Sequence, residues 1–203
     1  MSAVGRLRGA ILISGRGSNM VSLLSAAAEA DFPVEFTVVI SDKIEAPGLG
    51  LATGAGVKTH ALRHCRAGQA AWEEELDSVL REAEIDLICL AGFMRLLSAE
   101  FVARWKDRIL NIHPSLLPDF PGLEAQAQAL DAGATEAGCT VHVVTAEMDA
   151  GPVLGQARVP VLEGDSVDAL SVRILAEEHQ LYPAMVAQYV QDTLSAEERA
   201  DAI

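Results

Sequence analysis

Apolar residues in the first part of the chain gather into short runs: "GAILIS" (9–14), "EFTVVIS" (35–41), "VKTHAL" (57–62), "IDLICLAG" (85–92) and "RILNI" (108–112). Runs of this length between polar, glycine-bearing stretches suit buried strands. The segments between them carry helical period and predict helices over 18–30, 46–55, 69–83 and 98–106, with Ser98 as the N-cap of the last. Strands alternating with helices describe crossover units, and therefore a mainly parallel sheet with helices on its faces.

The pattern changes after residue 121. "CTVHVVTAEMDAGPVLGQARVPV" (139–161) holds two strand-like stretches around an acidic, glycine-containing turn, which predicts a hairpin and makes the sheet mixed. Asp165 and Ser166 are cap candidates ahead of Val167, Leu170, Ile174 and Leu181, whose spacing predicts a long amphipathic closing helix. With 203 residues, 50% of them hydrophobic, the chain can bury one sizeable core. The expectation is a single α/β domain over 1–203, Rossmann-like in its N-terminal half and closed by a hairpin and a long helix.

Charge narrows the classes of partner. Against 15 basic residues stand 29 acidic ones, a net charge of -14, so attraction to a nucleic-acid backbone is excluded as a driving force. One small anion remains acceptable, because backbone N–H groups at a helix start bind it whatever the net charge. No apolar run is long enough for a membrane span or a signal sequence. Cys65, Cys89 and Cys139 are odd in number and form no C-x-x-C pair, which fits a reducing compartment and no metal. The expected setting is cytoplasmic, with small molecules as partners.

Two stretches carry candidate chemistry. In "ILISGRGSNM", Gly15 and Gly17 follow a buried strand and Ser18 and Asn19 open a helix, an arrangement that suits an anion and equally an ordinary helix cap. Asp42, ending the second strand, raises a dinucleotide site. Met20 stands where that fingerprint has its third glycine, which favours a single phosphate over a dinucleotide. In "RILNIHPSLLPDFPG" (108–122), Asn111 and His113 lie two apart and share a side of an extended strand, a geometry that Pro114 enforces on His113. Asp149, in the turn "EMDAGP", is the carboxylate that would favour the imidazolium form of His113. An amide and an imidazolium together suit an oxyanion, and so acyl transfer or acyl hydrolysis. Structural roles for the amide and the imidazole, and a Cys139 nucleophile, stay open on this reading.

The segments "LISGRGSN", "DLICLAGFMRLLS", "LNIHPSLLPDFPG", "CTVHVVTAEMDAGPV", "VPVLEGDS" and "AEEHQLYP" cover nearly the whole chain. Together they resemble the folate-dependent glycinamide ribonucleotide formyltransferase family of purine synthesis. "NIH" followed by "SLLP" is shared more widely among enzymes that use 10-formyltetrahydrofolate. The resemblance implies direct transfer of a formyl group from 10-formyltetrahydrofolate, as co-substrate, to the glycinamide amine. It implies that Asn111 and His113 stabilise the oxyanion, that His113 donates a proton, and that Asp149 raises the basicity of His113. Gly17, Ser18 and Asn19, with Gly92 and Glu178, would meet the ribonucleotide. Met94, Arg95, Leu96 and Leu97, with Asn111, Thr145, Ala146, Glu147, Met148 and Asp149, would line the folate pocket. Residues 1–110 would form the ribonucleotide half and 111–203 the folate and catalytic half.

Some positions depart from the family. Glu124 and Gln126 occupy a loop where it commonly has a histidine, Gln69 falls near an arginine that meets the folate in some members, and Leu175 replaces a polar residue. His142 is either a hydrogen-bond partner of the site or a packed strand residue. Rival readings are a 10-formyltetrahydrofolate hydrolase, expected to carry an N-terminal domain for which residues 1–8 leave no room, and a non-catalytic phosphate or nucleotide sensor. The sequence leaves open monomer or homodimer, a lid over 118–130, and which X-Pro bond is cis.

Overall fold

In the computed structural model, which describes residues 6–63 and 68–201, the early apolar runs are β1 (Leu7–Ile13), β2 (Val34–Ser41), β3 (Lys58–Ala61), β4 (Leu87–Leu90) and β5 (Ile109–His113). The two later stretches are β6 (Glu136–Val143) and β7 (Val153–Pro160). All seven join one sheet in the order β3-β2-β1-β4-β5-β6-β7. Pairing is parallel from β3 across to β5, while β6 runs antiparallel to β5 and β7 antiparallel to β6. The sheet is therefore mixed and mainly parallel, as the pattern predicts.

Alternation along the strands divides the core between two faces. Ala10, Leu12, Val38, Ile40, Ile88, Leu90 and Ile109 pack with Trp72, Leu76 and Leu80 of α3 (Gln69–Glu82) and with Phe101 and Val102 of α4 (Ala99–Arg104). Ile11, Ile13, Val39, Cys89, Leu110, Ile112, Cys139 and Val141 face the other way. They pack with Met20 and Leu23 of α1 (Ser18–Ala27) and with Leu170, Ile174, Tyr182 and Val186 of α6 (Val167–Asp201). A sheet covered on both faces needs near-continuous apolar strands, which is why the central runs show so little polar alternation. This second core takes residues from both halves of the chain, so one domain results.

Capping follows expectation at two helices. The Ser98 side chain accepts the Phe101 N–H at 3.1 Å and starts α4. Ser166 accepts the Ala169 N–H at 3.1 Å, while Asp165 turns instead to the Leu162 N–H and to Arg173, whose guanidinium holds its carboxyl down at about 2. The helix predicted over 46–55 is α2 (Pro47–Gly54), whereas α5 (Ala125–Asp131), between β5 and β6, was not predicted. It is short, and its N-cap Glu124 sits at φ 58 without a side-chain cap hydrogen bond, so neither a start signal nor a sustained apolar period marks it.

Where helices stop covering the sheet, the ends of β4 and β5 are tied to α6. The Tyr182 hydroxyl reaches the carbonyls of Leu90 and Leu110, each at 3.0 Å. Asn111 and His113 continue the side of β5 begun by Ile109 and emerge at the strand's carboxyl end, where α/β sheets bind ligands. Among the described residues no helix is long and apolar enough to cross a membrane. Cys65 lies outside the described residues.

Candidate active site

The first loop leaves β1 through Gly15 and turns at Gly17, whose φ is 75. Gly17 is favoured by this conformation, and a Cβ there would also press on Met20 Cε at 3.1 Å and Gly48 Cα at 3.3 Å. No side chain caps α1, which leaves the N–H groups of Ser18 and its neighbours for a ligand; of the two sequence readings, the side-chain cap is absent. Met20 is fully buried in the core. Beside the loop lies a cavity of about 430 Å³ lined by Arg16, Ser18, Ser22, Leu175 and His179 among others, so Leu175 puts an apolar wall next to the glycine loop.

Asn19 and Glu178, far apart in sequence, meet here. Asn19 Nδ2 donates to Glu178 Oε2 at 2.6 Å, and both residues are buried. Burial pushes the Glu178 carboxyl up, against the pull of the Asn19 hydrogen bond and of His113. Glu178 thus stands between the glycine loop and the strand end that carries His113.

At that strand end, register places Asn111 opposite His142 and His113 opposite Thr140. Asn111 Nδ2 lies 3.1 Å from His142 Nε2, and His142 Nδ1 lies 3.1 Å from the Val143 carbonyl. His113 Nε2 meets the Phe120 carbonyl at 3.1 Å, and His113 Nδ1 lies 3.5 Å from Asp149 Oδ2. The same carboxylate accepts the Gly122 N–H at 2.9 Å, and its other oxygen lies 3.7 Å from His142 Nε2. The structure therefore brings Asn111, His113 and Asp149 together, with His142 as a fourth member: of its two sequence readings, the hydrogen-bond partner is the one observed.

The turn that carries Asp149 is shaped by the backbone. Asp149 adopts φ 52, and a Cβ on Gly151 would run into the Val143 carbonyl, so the hairpin folds closely on β6 only with glycine there. Opposite it, residues 114–124 return over His113 through a cis Leu117–Pro118 bond, with the Leu117 N–H held by Thr140 Oγ1 at 3.0 Å. Phe120 and Gly122 contribute main-chain atoms alone, which no side-chain motif marks.

The segment after β4 forms another wall. Gly92 turns at φ 71 and its carbonyl accepts the Ser14 N–H at 3.1 Å, while Ser14 Oγ accepts the Met94 N–H at 2.9 Å. Met94 and Leu96 project outward, 61% and 68% exposed, as does Met148 at 52%. Leu97 is half-buried against the α3/α4 core. The Arg95 guanidinium lies 4.8 Å over the Trp72 ring. Thr145 Oγ1 donates to the Glu147 carbonyl at 3.1 Å, while Ala146 and Glu147 are exposed. Cys139 is fully buried and its thiol is pushed up to about 12, chiefly by that burial, which removes the thiolate a nucleophile needs.

An α/β sheet with an uncapped glycine loop on one side of a strand end and an amide–imidazole–carboxylate group upon it defines a class of ligand-binding enzyme fold. The chain belongs to the formyl transferase family, whose profile matches residues 7–186. It is 41% identical over 191 residues to phosphoribosylglycinamide formyltransferase of Escherichia coli K12, a match covering 94% of this chain and 90% of that protein. To the trifunctional purine biosynthetic protein adenosine-3 of Bos taurus it is 45% identical over 180 residues, or 88% of this chain and 18% of that protein. The chain thus spans less than a fifth of that larger relative. Among solved structures, glycinamide ribonucleotide transformylase 1 from Symbiobacterium toebii matches with a TM-score of 0.88 and 47% identity, over 92% of this chain and 89% of that one.

Proposed function

We propose that the protein transfers the formyl group of 10-formyltetrahydrofolate to the amine of glycinamide ribonucleotide, in a cytoplasmic setting. The observation that carries this reading is the meeting of Asn111, His113 and Asp149 at a strand end, with Glu178 linking that end to the glycine loop. The relatives matched over about nine tenths of their length bear formyl transfer to glycinamide ribonucleotide in their names, which supports the acceptor side of this reading.

On this reading the ribonucleotide phosphate rests on the N–H groups of Gly17, Ser18 and Asn19, and Glu178 and Gly92 meet the rest of the nucleotide. The folate lies between Met94–Leu97 and Thr145–Asp149. Residues 1–110 then serve mostly the ribonucleotide and 111–203 mostly the folate and the chemistry. The amine attacks the formyl carbon, a C–N bond forms, and the formyl oxygen becomes an oxyanion. The Asn111 amide and His113 donate hydrogen bonds to it, each such donor being worth about 3 kcal/mol in the transition state. The bond to the folate nitrogen then breaks, and the proton released by the amine ends on that nitrogen. Nothing is covalently attached to the protein, so alignment of two bound substrates supplies much of the rate. His113 Nε2–H, which rests on the Phe120 carbonyl, is the donor the reaction draws on, and Asp149 stabilises the ring when it is charged.

The test is an assay with 10-formyltetrahydrofolate and glycinamide ribonucleotide, scored beside water as acceptor. Formylated ribonucleotide in large excess over formate is the expected product. Formate alone would make the protein a hydrolase, and binding without turnover would make it a sensor.

A further inference from the structure

Glu73 lies on α3, away from the trio, yet only 3% of its surface meets solvent. A buried carboxylate requires donors, and those it has belong to one neighbourhood. Its Oε1 accepts the Ser98 N–H at 2.7 Å and the Gln69 side-chain amide at 2.9 Å, and its Oε2 accepts the Ser98 hydroxyl. Gln69 Nε2 also donates to the Leu96 carbonyl at 3.0 Å. One position before Glu73, Trp72 stacks on Phe93 with ring centroids 6.0 Å apart and carries the Arg95 guanidinium on its face.

Residues 93–98 form neither helix nor strand, so their path is set by contacts from outside. Ser14 holds the near end at Met94, and Glu73 holds the far end twice, at the N–H and the hydroxyl of Ser98. A carboxylate acceptor makes these bonds stronger than a neutral one would. Met94 and Leu96, meanwhile, are kept outward instead of collapsing onto the core. An apolar wall fixed before its ligand arrives loses less entropy on binding.

We propose that Glu73 is a positioning residue for the formyl donor: through Ser98 and Gln69 its carboxylate holds residues 93–98 in the shape against which the folate binds. This rests on the reading that the folate lies along Met94–Leu97. Glu73 touches no reacting atom, so its loss appears in donor affinity and leaves ribonucleotide affinity and turnover nearly as they were. Gln69 belongs to the same device: its side-chain amide ties Glu73 to the Leu96 carbonyl and so supports the wall.

The test compares the wild type with Glu73→Ala, Glu73→Gln and Gln69→Ala in steady-state kinetics, in tetrahydrofolate binding by calorimetry, and in amide exchange of the ligand-free protein. Glu73→Ala is expected to raise KM for 10-formyltetrahydrofolate and Kd for tetrahydrofolate about tenfold, with kcat and ribonucleotide KM within about threefold. Amides of residues 93–98 should exchange faster in the same variant. Glu73→Gln keeps one acceptor oxygen and should fall between wild type and Glu73→Ala. Gln69→Ala, at an exposed helix position, should show a smaller shift of the same kind and decides the matter if Glu73→Ala does not fold. Unchanged donor affinity, equal weakening of both substrates, or a loss confined to kcat would each overturn the proposal. A wild type that binds no tetrahydrofolate removes the folate reading and this inference together, whereas a wild type that binds it no better than Glu73→Ala removes this inference alone.

Discussion

The side-chain amide of Asn111 donates to Nε2 of His142 at 3.1 Å, across the antiparallel pairing that sets the two residues opposite each other. His142 Nδ1 gives its hydrogen to the Val143 carbonyl, so Nε2 holds a lone pair and selects the nitrogen of Asn111 as its partner. On the proposed function, the other amide N–H is the one that would meet the oxyanion. Burial pushes His142 below its usual range, which keeps the ring in this accepting state.

His142→Phe removes the acceptor and frees the amide to turn. The expected result is a kcat about tenfold lower with both KM values little changed. Asn111→Ala, which removes the donor itself, should cost about 3 kcal/mol, roughly a hundredfold in kcat. Steady-state assays of the two variants check this order; a His142→Phe enzyme at the wild-type rate would show that the amide needs no such support.

Asp149 faces His113 Nδ1 at 3.5 Å and accepts the Gly122 N–H at 2.9 Å. Asp149→Asn keeps an oxygen for Gly122, so the turn should persist while the negative charge beside the ring is lost. Both substrates should bind with KM close to wild type, and kcat should fall by about a hundredfold. Near-normal turnover in this variant would take Asp149 out of the mechanism.

The parts legible in the sequence are those written by short-range rules. Pro114 and the two-residue spacing put Asn111 and His113 on one side of an extended strand, and Ser98 marked the start of α4 by its own side chain. Asp149 was legible because Gly151 and Pro152 mark a shaped turn and an imidazolium calls for a carboxylate, although an acid in such a turn is ordinary in itself. What escaped depends on main-chain atoms or on register. The carbonyl of Phe120 and the N–H of Gly122 carry no side-chain signature, and the pairing of Asn111 with His142 follows from the β5–β6 register, which "NIH" and "VHV" do not encode separately. The short helix α5 begins at a Glu124 with φ 58, where the usual cap chemistry is absent. Nothing in the helix predicted over 69–83 singles out Glu73 among its acids, because a buried carboxylate and a solvated one look alike until the donors around Ser98 are in place.

Cys139 offers a clean exclusion. Its thiol is buried on β6 and pushed up to about 12, mainly by burial and further by the negative charge of Glu178. Cys139→Ala should keep kcat within about twofold and cost on the order of 1 kcal/mol of stability through the small cavity it leaves. Abolished turnover with an intact fold would bring back a covalent pathway.

Glu178 predicts a stability that moves against activity. Its carboxyl is pushed above the usual 4.5, first by burial, while the Asn19 hydrogen bond and His113 act in the opposite direction. For a group raised on folding, the favourable contribution is complete below 4.5 and is lost as pH rises through the folded value, so at neutral pH the fold bears the cost of a buried charge. Glu178→Gln keeps an oxygen for Asn19 Nδ2 and removes that charge. Denaturant titrations should find the variant more stable near neutral pH, with the difference vanishing once the wild-type carboxyl is protonated. The same substitution should weaken ribonucleotide binding, since a carboxylate accepts hydroxyl hydrogen bonds more strongly than an amide. A variant less stable than wild type at neutral pH would mean that Asn19 and His113 outweigh burial, and would reverse the sign assigned to this residue.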